Sequence, residues 1–184
     1  MQNTTLCYIV RDGRYLMLHR MKKDRDVNRD KWVAMGGHFE ENESPEDCVC
    51  REVLEETGLT LTDYRYCGII TFVSDRWEGE YMHLFRAEGF TGNLRDCDEG
   101  TLEWITGAQI NNLPQWEGDR IFFRLMEENV PFFSLKLRYE GETLREAVLN
   151  GKQLPVGNVQ SWGTIMPRAA GTIVPPPQGE EAQG

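Results

Sequence analysis

The sequence lacks the features of membrane, secreted and zinc-binding proteins. No apolar run approaches the about 18 residues that a membrane span requires. The first residues, MQNTTLCYIVRDGRYLML, have no basic start followed by an apolar core and a cleavage site, so we expect no signal peptide. There are only three histidines, and the five cysteines form no CxxC pair. A zinc site is therefore not expected, and reduced thiols in the cytoplasm are the default interpretation.

The chain also lacks the excess of positive charge that a general nucleic-acid binder would carry. Its formal net charge is −10 at pH 7. An acidic enzyme can still act on a phosphorylated substrate if metal ions screen the repulsion. One local exception is the segment HRMKKDRDVNRDK, which includes Lys22 and carries six Lys or Arg against three Asp. This segment either steers phosphates or is a solvated loop.

The pattern of elements predicts one α+β domain over residues 1–152, with helices packed on a mixed sheet. Strand-like runs surround the turns Asp12-Gly13 and DRWEG, and TLEWI and FFSLKLRY are further strands. GDRIFFRLMEEN has apolar residues at helical spacing, and ETLREAVLNGK is interpreted as a short helix. Residues 153–184 are rich in Pro and Gly and predict an extended or disordered tail.

A helix over about residues 45–57 carries an unusual cluster of acids. Ser44 followed by Pro45 predicts its start, and Gly58 predicts its end. Three glutamates, Glu52, Glu55 and Glu56, fall within one arc of about 100° near its C-terminus. Like charges at this spacing oppose one another and the helix dipole. The pattern indicates either a solvated acidic face or a site for a hard divalent cation such as Mg²⁺ or Mn²⁺.

The wider spacing favours the second interpretation. The segment GHFEENESPEDCVCREVLEETGL fits the pattern G-x5-E-x7-R-E-U-x-E-E-x-G-U, where U is a bulky aliphatic residue. Every fixed position is filled: Gly37, Glu43, Arg51, Glu52, Val53, Glu55, Glu56, Gly58 and Leu59. This segment resembles an intact Nudix box, and the resemblance extends from about Thr4 to Val148.

The resemblance implies the Nudix α/β/α sandwich and a site that uses Mg²⁺, with Mn²⁺ as an alternative. It implies Glu55 and Glu56 as metal ligands, Glu52 as a ligand or catalytic base, and a backbone carbonyl of the Gly36-Gly37 turn in the metal shell. Glu43 and Arg51 would tie the helix to the preceding loop. A later loop, RDCDEGTLEW, offers a further carboxylate, for which we favour Glu99.

Features beyond the box are similar to the MutT-like enzymes that hydrolyse oxidised purine nucleotides, the 8-oxo-dGTP diphosphatases. In LPQWEGDRIFF, Trp116 would stack on a purine, and Asp119, with Glu117 as a further candidate, would accept hydrogen bonds from its edge. The lead-in KWVAMGG is also similar, although Val33 stands where that subfamily often has Asn.

We therefore expect a monomeric or homodimeric, Mg²⁺-dependent enzyme that converts a nucleoside triphosphate to a monophosphate and pyrophosphate. Two alternatives stay open. One is a Nudix hydrolase of ADP-ribose or a dinucleotide. The other is a Nudix-fold sensor that binds a nucleotide or a protein partner without turnover.

Overall fold

The computed structural model describes residues 1–21 and 28–157. Within these residues the chain forms three helices, α1 (Pro45–Thr57), α2 (Gly107–Ile110) and α3 (Asp119–Glu127). The strands are β1 (Gln2–Arg11), β2 (Arg14–Arg20), β3 (Trp32–Val33), β4 (Leu59–Ser74), β5 (Glu80–Gly92), β6 (Gly100–Thr106), β7 (Phe133–Glu140), β8 (Thr143–Leu149) and β9 (Lys152–Leu154). No helix in this part of the chain is long and apolar enough to cross a membrane.

The strands join in a single mixed sheet with the order β3-β2-β1-β5-β4-β7-β8-β9, and β6 pairs with β2. The pairs β1–β5 and β4–β7 are parallel, whereas the remaining pairs are antiparallel. Because β4 runs antiparallel to β5 and β1 runs parallel to it, the end of β4 lies beside the starts of β1 and β5. The predicted mixed sheet is confirmed.

Alternation along β1 divides the core into two layers. Cys7 and Ile9 pack with Val53 of α1 on one face of the sheet, whereas Tyr8 packs with Phe122 of α3 on the other. Side chains of successive strand residues point to opposite faces, so both faces of β1 must be covered. The helices provide this cover, and the predicted α/β/α arrangement is confirmed.

Helix α1 begins and ends where the sequence predicted. The Ser44 hydroxyl accepts a hydrogen bond from the Asp47 amide at 3.1 Å, and the Asp47 carboxylate accepts one from the Ser44 amide at 3.0 Å. This reciprocal pair satisfies two amides of the first turn. At the other end Gly58 is left-handed, with φ 77°, and its amide donates to the Leu54 carbonyl at 2.9 Å.

The C-terminal part of the fold differs from the prediction in one element. The segment 142–152, interpreted from sequence as a short helix, forms strand β8, which pairs with β7 and β9. Strand β9 ends at Leu154, two residues beyond the predicted domain end. Residues 158–184 of the predicted tail lie outside the described residues.

Candidate active site

The C-terminal half of α1 borders a cleft of about 820 Å³, a volume typical of small-molecule sites. The walls come from strands β1 to β5 and β7, from helices α1 and α3, and from loops that include the turn after β3 and the β5–β6 connection. Four carboxylates predicted to act on a metal line this cleft: Glu52, Glu55, Glu56 and Glu99. Trp116 and Asp119, predicted to contact a base, line the same cleft.

The turn at Gly36 and Gly37 fits tightly between β1 and α1. The Gly36 amide donates to Glu56 Oε2 at 2.9 Å, and the Thr5 amide donates to the Gly37 carbonyl at 2.8 Å. A Cβ atom at Gly36 would lie 2.0 Å from the Thr5 carbonyl oxygen, and one at Gly37 would lie 2.5 Å from the Glu52 carboxylate. Only glycine leaves these glutamates where they are.

Arg51 joins α1 to the loop before it. Its Nε and Nη2 atoms lie 2.6 and 2.9 Å from the two oxygens of Glu43, and Nη2 also donates to the His38 carbonyl at 3.0 Å. Hydrogen bonds from Arg51 and from the Glu40 amide lower the pKa of Glu43 to about 2. A two-pronged pair of this kind fixes orientation as well as distance.

The same guanidinium also contacts two of the clustered glutamates. Arg51 Nη1 lies 2.7 Å from Glu52 Oε1 and 3.3 Å from Glu55 Oε2. Arg20 Nη1 lies 2.9 Å from Glu99 Oε2. Within residues 1–21 and 28–157, no three His, Cys, Asp or Glu side chains stand together as a ready-made metal site. Arginines hold these carboxylates in the structure.

Glu56 occupies an unfavourable position for a negative charge. Burial raises the pKa of Glu56 to about 8, and repulsion from Glu99 and Glu52 adds to the effect, whereas the Gly36 amide and Arg20 oppose it. A buried carboxylate beside two others gains from a nearby cation. The carboxylate oxygens suit a hard divalent ion as ligands, and such an ion would also reduce the repulsion between Glu56, Glu99 and Glu52.

The aromatic wall of the cleft surrounds Trp116. This side chain is only 7% exposed, and it meets Phe72 and Tyr139 at steep angles, with ring centroids 6.0 and 5.0 Å apart. Its Nε1 donates to Asn28 Oδ1 at 2.9 Å, and Lys31 Nζ lies 4.6 Å from the ring centroid. Trp116 therefore forms a fixed wall of the cleft rather than an open stacking platform.

Asp119, the first residue of α3, combines burial with a position in the cleft. Burial raises its pKa to about 7, against the opposing effects of the Trp116 backbone, Arg120 and Lys31. A carboxyl group with this pKa can donate as well as accept a hydrogen bond near neutral pH. Tyr139 supports the start of the helix, because its hydroxyl accepts a hydrogen bond from the Gly118 amide at 2.7 Å.

The remaining predicted residues fall in different places. Glu117 does not line the cleft, whereas Val33 does. Lys22 lies outside the described residues. Sequence reasoning missed three cleft residues that carry contacts, namely Arg20, Arg95 and Tyr139. Arg20 lies in the basic segment HRMKKDRDVNRDK and Arg95 begins the loop RDCDEGTLEW, but neither was assigned a contact. Tyr139 stands at an apolar position in the alternating strand FFSLKLRY.

The fold of the chain matches that of solved MutT proteins. The solved structure of the Mutator MutT protein from Bacillus halodurans matches the chain with a TM-score of 0.74 at 26% identity, covering 83% of this chain and 99% of that one. A family model for the NUDIX domain matches residues 1–126.

Sequence relatives agree with this class. An uncharacterized Nudix hydrolase of Bacillus subtilis, YvcI, is 36% identical over 124 residues, which are 65% of this chain and 75% of the relative. The oxidized purine nucleoside triphosphate hydrolase of Danio rerio is 35% identical over 130 residues, which are 70% of this chain and 81% of the relative. The chain belongs to the Nudix hydrolase family.

Proposed function

We propose that this protein hydrolyses nucleoside triphosphates to the monophosphate and pyrophosphate with Mg²⁺, and that an oxidised purine nucleotide such as 8-oxo-dGTP is its preferred substrate. One observation carries the proposal. The four glutamates suited to a metal and the Trp116–Asp119 wall suited to a base line a single cleft. A nucleotide bound there would place its phosphates and its base against chemically different partners.

The carboxylates Glu52, Glu55, Glu56 and Glu99 would hold the cation, with Mn²⁺ as an alternative to Mg²⁺. When bound, such an ion neutralises charge that develops on the phosphates and lowers the pKa of a coordinated water. Arg51 and Arg20 would then give up carboxylate oxygens that they now hold. Arg20, which lines the cleft, would then be available to the phosphates of the substrate, whereas Arg51 does not line it.

The carboxylates also provide for the proton of the attacking water. Water attacks a phosphorus of the triphosphate chain, the bond from that phosphorus to a bridging oxygen breaks, and pyrophosphate separates from the nucleoside monophosphate. A carboxylate that is not engaged as a ligand accepts the proton, and Glu52 is a candidate for this role as well as for ligation. Glu43 acts indirectly, because it orients Arg51.

Base recognition would depend on Asp119 more than on Trp116. A carboxyl group that titrates near pH 7 can exchange two hydrogen bonds with a purine edge, whereas the buried Trp116 provides shape. The similarity to the oxidized purine nucleoside triphosphate hydrolase of Danio rerio supports the same substrate class. We further propose a cytoplasmic monomer or homodimer that acts on free nucleotides in pool sanitation, without direct nucleic-acid binding.

The test is pyrophosphate release with Mg²⁺ from 8-oxo-dGTP, dGTP and dATP, beside AMP release from ADP-ribose. A large kcat/KM advantage for 8-oxo-dGTP supports the proposal. Equal rates on all triphosphates would keep the reaction and discard base recognition. Cleavage of ADP-ribose alone would overturn the substrate class, and no turnover of any substrate would favour a nucleotide sensor.

A further inference from the structure

Helix α1 has no basic residue in its last turn, where a positive charge would be favourable. The turn instead contains two glutamates, Glu55 and Glu56. The C-terminal end of a helix carries partial negative charge, so glutamates there are unfavourable and Lys or Arg would be preferred. A positive charge from elsewhere in the chain would relieve this conflict.

Arg95, in the loop between β5 and β6, supplies that charge. Its Nη2 atom donates to the Leu54 carbonyl at 2.7 Å and to the Glu55 carbonyl at 2.9 Å. Its backbone amide donates to the Thr57 carbonyl at 3.0 Å. These three hydrogen bonds engage carbonyls of the last turn of α1, where a helix has few amides of its own to offer, and the Leu54 carbonyl also accepts from the Gly58 amide.

The same loop continues to the fourth carboxylate of the cleft. Glu99 lies four residues after Arg95, and both residues line the cleft. Glu99 is close enough to Glu56 for the two charges to repel each other. The hydrogen bonds of Arg95 therefore connect the segment that carries Glu99 to the helical turn that carries Glu55 and Glu56.

We propose that Arg95 is a positioning residue for the divalent cation of this enzyme. It fixes the last turn of α1 against the β5–β6 loop, so that glutamates from both segments converge on one ion. This inference rests on the proposed metal-dependent function, but it concerns an arginine about 40 residues away along the chain from the box helix. A purely structural role would affect the unfolding temperature without a specific effect on metal affinity.

The experiment is a Mn²⁺ titration of the full-length protein, followed by electron paramagnetic resonance of the free ion, for wild type, Arg95→Ala and Arg95→Lys. Outer residues that orient metal ligands typically change affinity by about 10- to 100-fold, so we expect Arg95→Ala to weaken Mn²⁺ binding by about 10-fold or more. Arg95→Lys keeps the charge but not the forked geometry, and its affinity should be intermediate.

Arg65→Ala is the matched control. Arg65 Nη2 donates to the Met126 carbonyl at 3.2 Å, so it also places a guanidinium at the end of a helix, but that helix is α3. Thermal unfolding of each variant shows whether the fold is retained. The inference predicts that Arg65→Ala leaves Mn²⁺ affinity unchanged even if its unfolding temperature falls as far as that of Arg95→Ala.

Three results would overturn the inference. The first is wild-type Mn²⁺ affinity in every Arg95 variant that folds, even if Arg95→Lys is the only one that does. The second is an equal loss of affinity in Arg65→Ala, which would indicate general destabilisation. The third is a raised KM for nucleotide with unchanged Mn²⁺ affinity, which would make Arg95 a substrate contact. A wild-type protein that binds no Mn²⁺ would instead refute the proposed metal site itself.

Discussion

Alanine at Gly36 and at Gly37 should affect different properties of the protein, although the two positions are adjacent. A Cβ atom at Gly36 would meet the backbone of β1, with the Thr5 carbonyl oxygen at 2.0 Å, and Gly36 has φ +149°, which L-residues rarely adopt. For a Cβ atom at Gly37, the three nearest atoms all belong to the Glu52 carboxylate, with the closest at 2.5 Å. The first contact is with a fixed strand, and the second is with the end of a flexible side chain.

The distances set the expected magnitudes. Carbon atoms in contact are normally about 3.5–4.0 Å apart, so Glu52 must move by about 1 Å to accept Gly37→Ala. A displacement of that size in a catalytic group can lower turnover about 10²-fold. Stability should change little, because alanine also reduces the entropy of the unfolded chain. Gly36→Ala combines backbone strain with a backbone clash and should cost at least about 2 kcal/mol of unfolding free energy.

The assay pairs urea unfolding with pyrophosphate release at saturating Mg²⁺ and nucleotide. We expect Gly37→Ala to be folded and slow, and Gly36→Ala to be destabilised. Full turnover in Gly37→Ala would refute the view that Glu52 must stay against this turn. A normal unfolding midpoint in Gly36→Ala would show that the turn has more room than the structure indicates.

Three further predictions concern the carboxylates and the aromatic wall. Glu55→Gln or Glu56→Gln should lower turnover by at least about 10²-fold with the fold intact, and near-normal rates in both at saturating Mg²⁺ would contradict the metal assignment. Asp119 has a folded pKa of about 7, above its ordinary value of 3.8, so its neutral form stabilises the fold most below about pH 4, and this stabilisation is lost as the pH rises through 7. Asp119→Asn stays neutral at every pH. The unfolding free energy of Asp119→Asn minus that of wild type, measured in urea, should therefore increase from pH 4 to 7, by at most about 1.4 kcal/mol per unit of pKa shift. A difference that does not change with pH would refute this. Tyr139→Phe leaves the Gly118 amide without its acceptor and should cost about 1–3 kcal/mol of unfolding free energy in urea, and an unchanged midpoint would show that the bond contributes nothing.

Most of the sheet and both ends of α1 could be predicted from the sequence, because alternation and capping residues act locally. Strand β8 could not be predicted. In its pairing with β7, Leu144 lies opposite Tyr139 and Glu146 lies opposite Arg138, so Arg145 is an extra residue on β8. The irregularity places buried Leu144 three residues before buried Ala147, a helical spacing. The segment also contains good helix-forming residues, so the sequence predicts a helix. Pairing with β7 outweighs this local preference and makes the segment a strand.

The box pattern located the acidic helix but not the residues that hold its acids in place. Arg51 lies within the pattern, and its pairing with Glu43 follows from the resemblance. Arg20 and Arg95 lie on β2 and on the β5–β6 loop, and they reach Glu99 and the end of α1 only after the sheet has formed. No local rule relates an arginine to a helix end about 40 residues away along the chain. Sequence reasoning therefore detected the electrostatic conflict of α1 without its resolution.

The base side of the cleft shows the same dependence on distant segments. Trp116 looked like a stacking residue because a tryptophan beside acids suits a purine, but its exposure depends on β4 and β7, which bring Phe72 and Tyr139 against it. Once those rings enclose it, the indole can restrict the shape of a ligand, but a restriction on shape alone does not distinguish one base from another. Under the proposed function, discrimination between purines would require a group that both donates and accepts hydrogen bonds. Asp119 is the candidate in this wall, because burial raises the pKa of its carboxyl to about 7, so that protonated and ionised forms coexist near neutral pH.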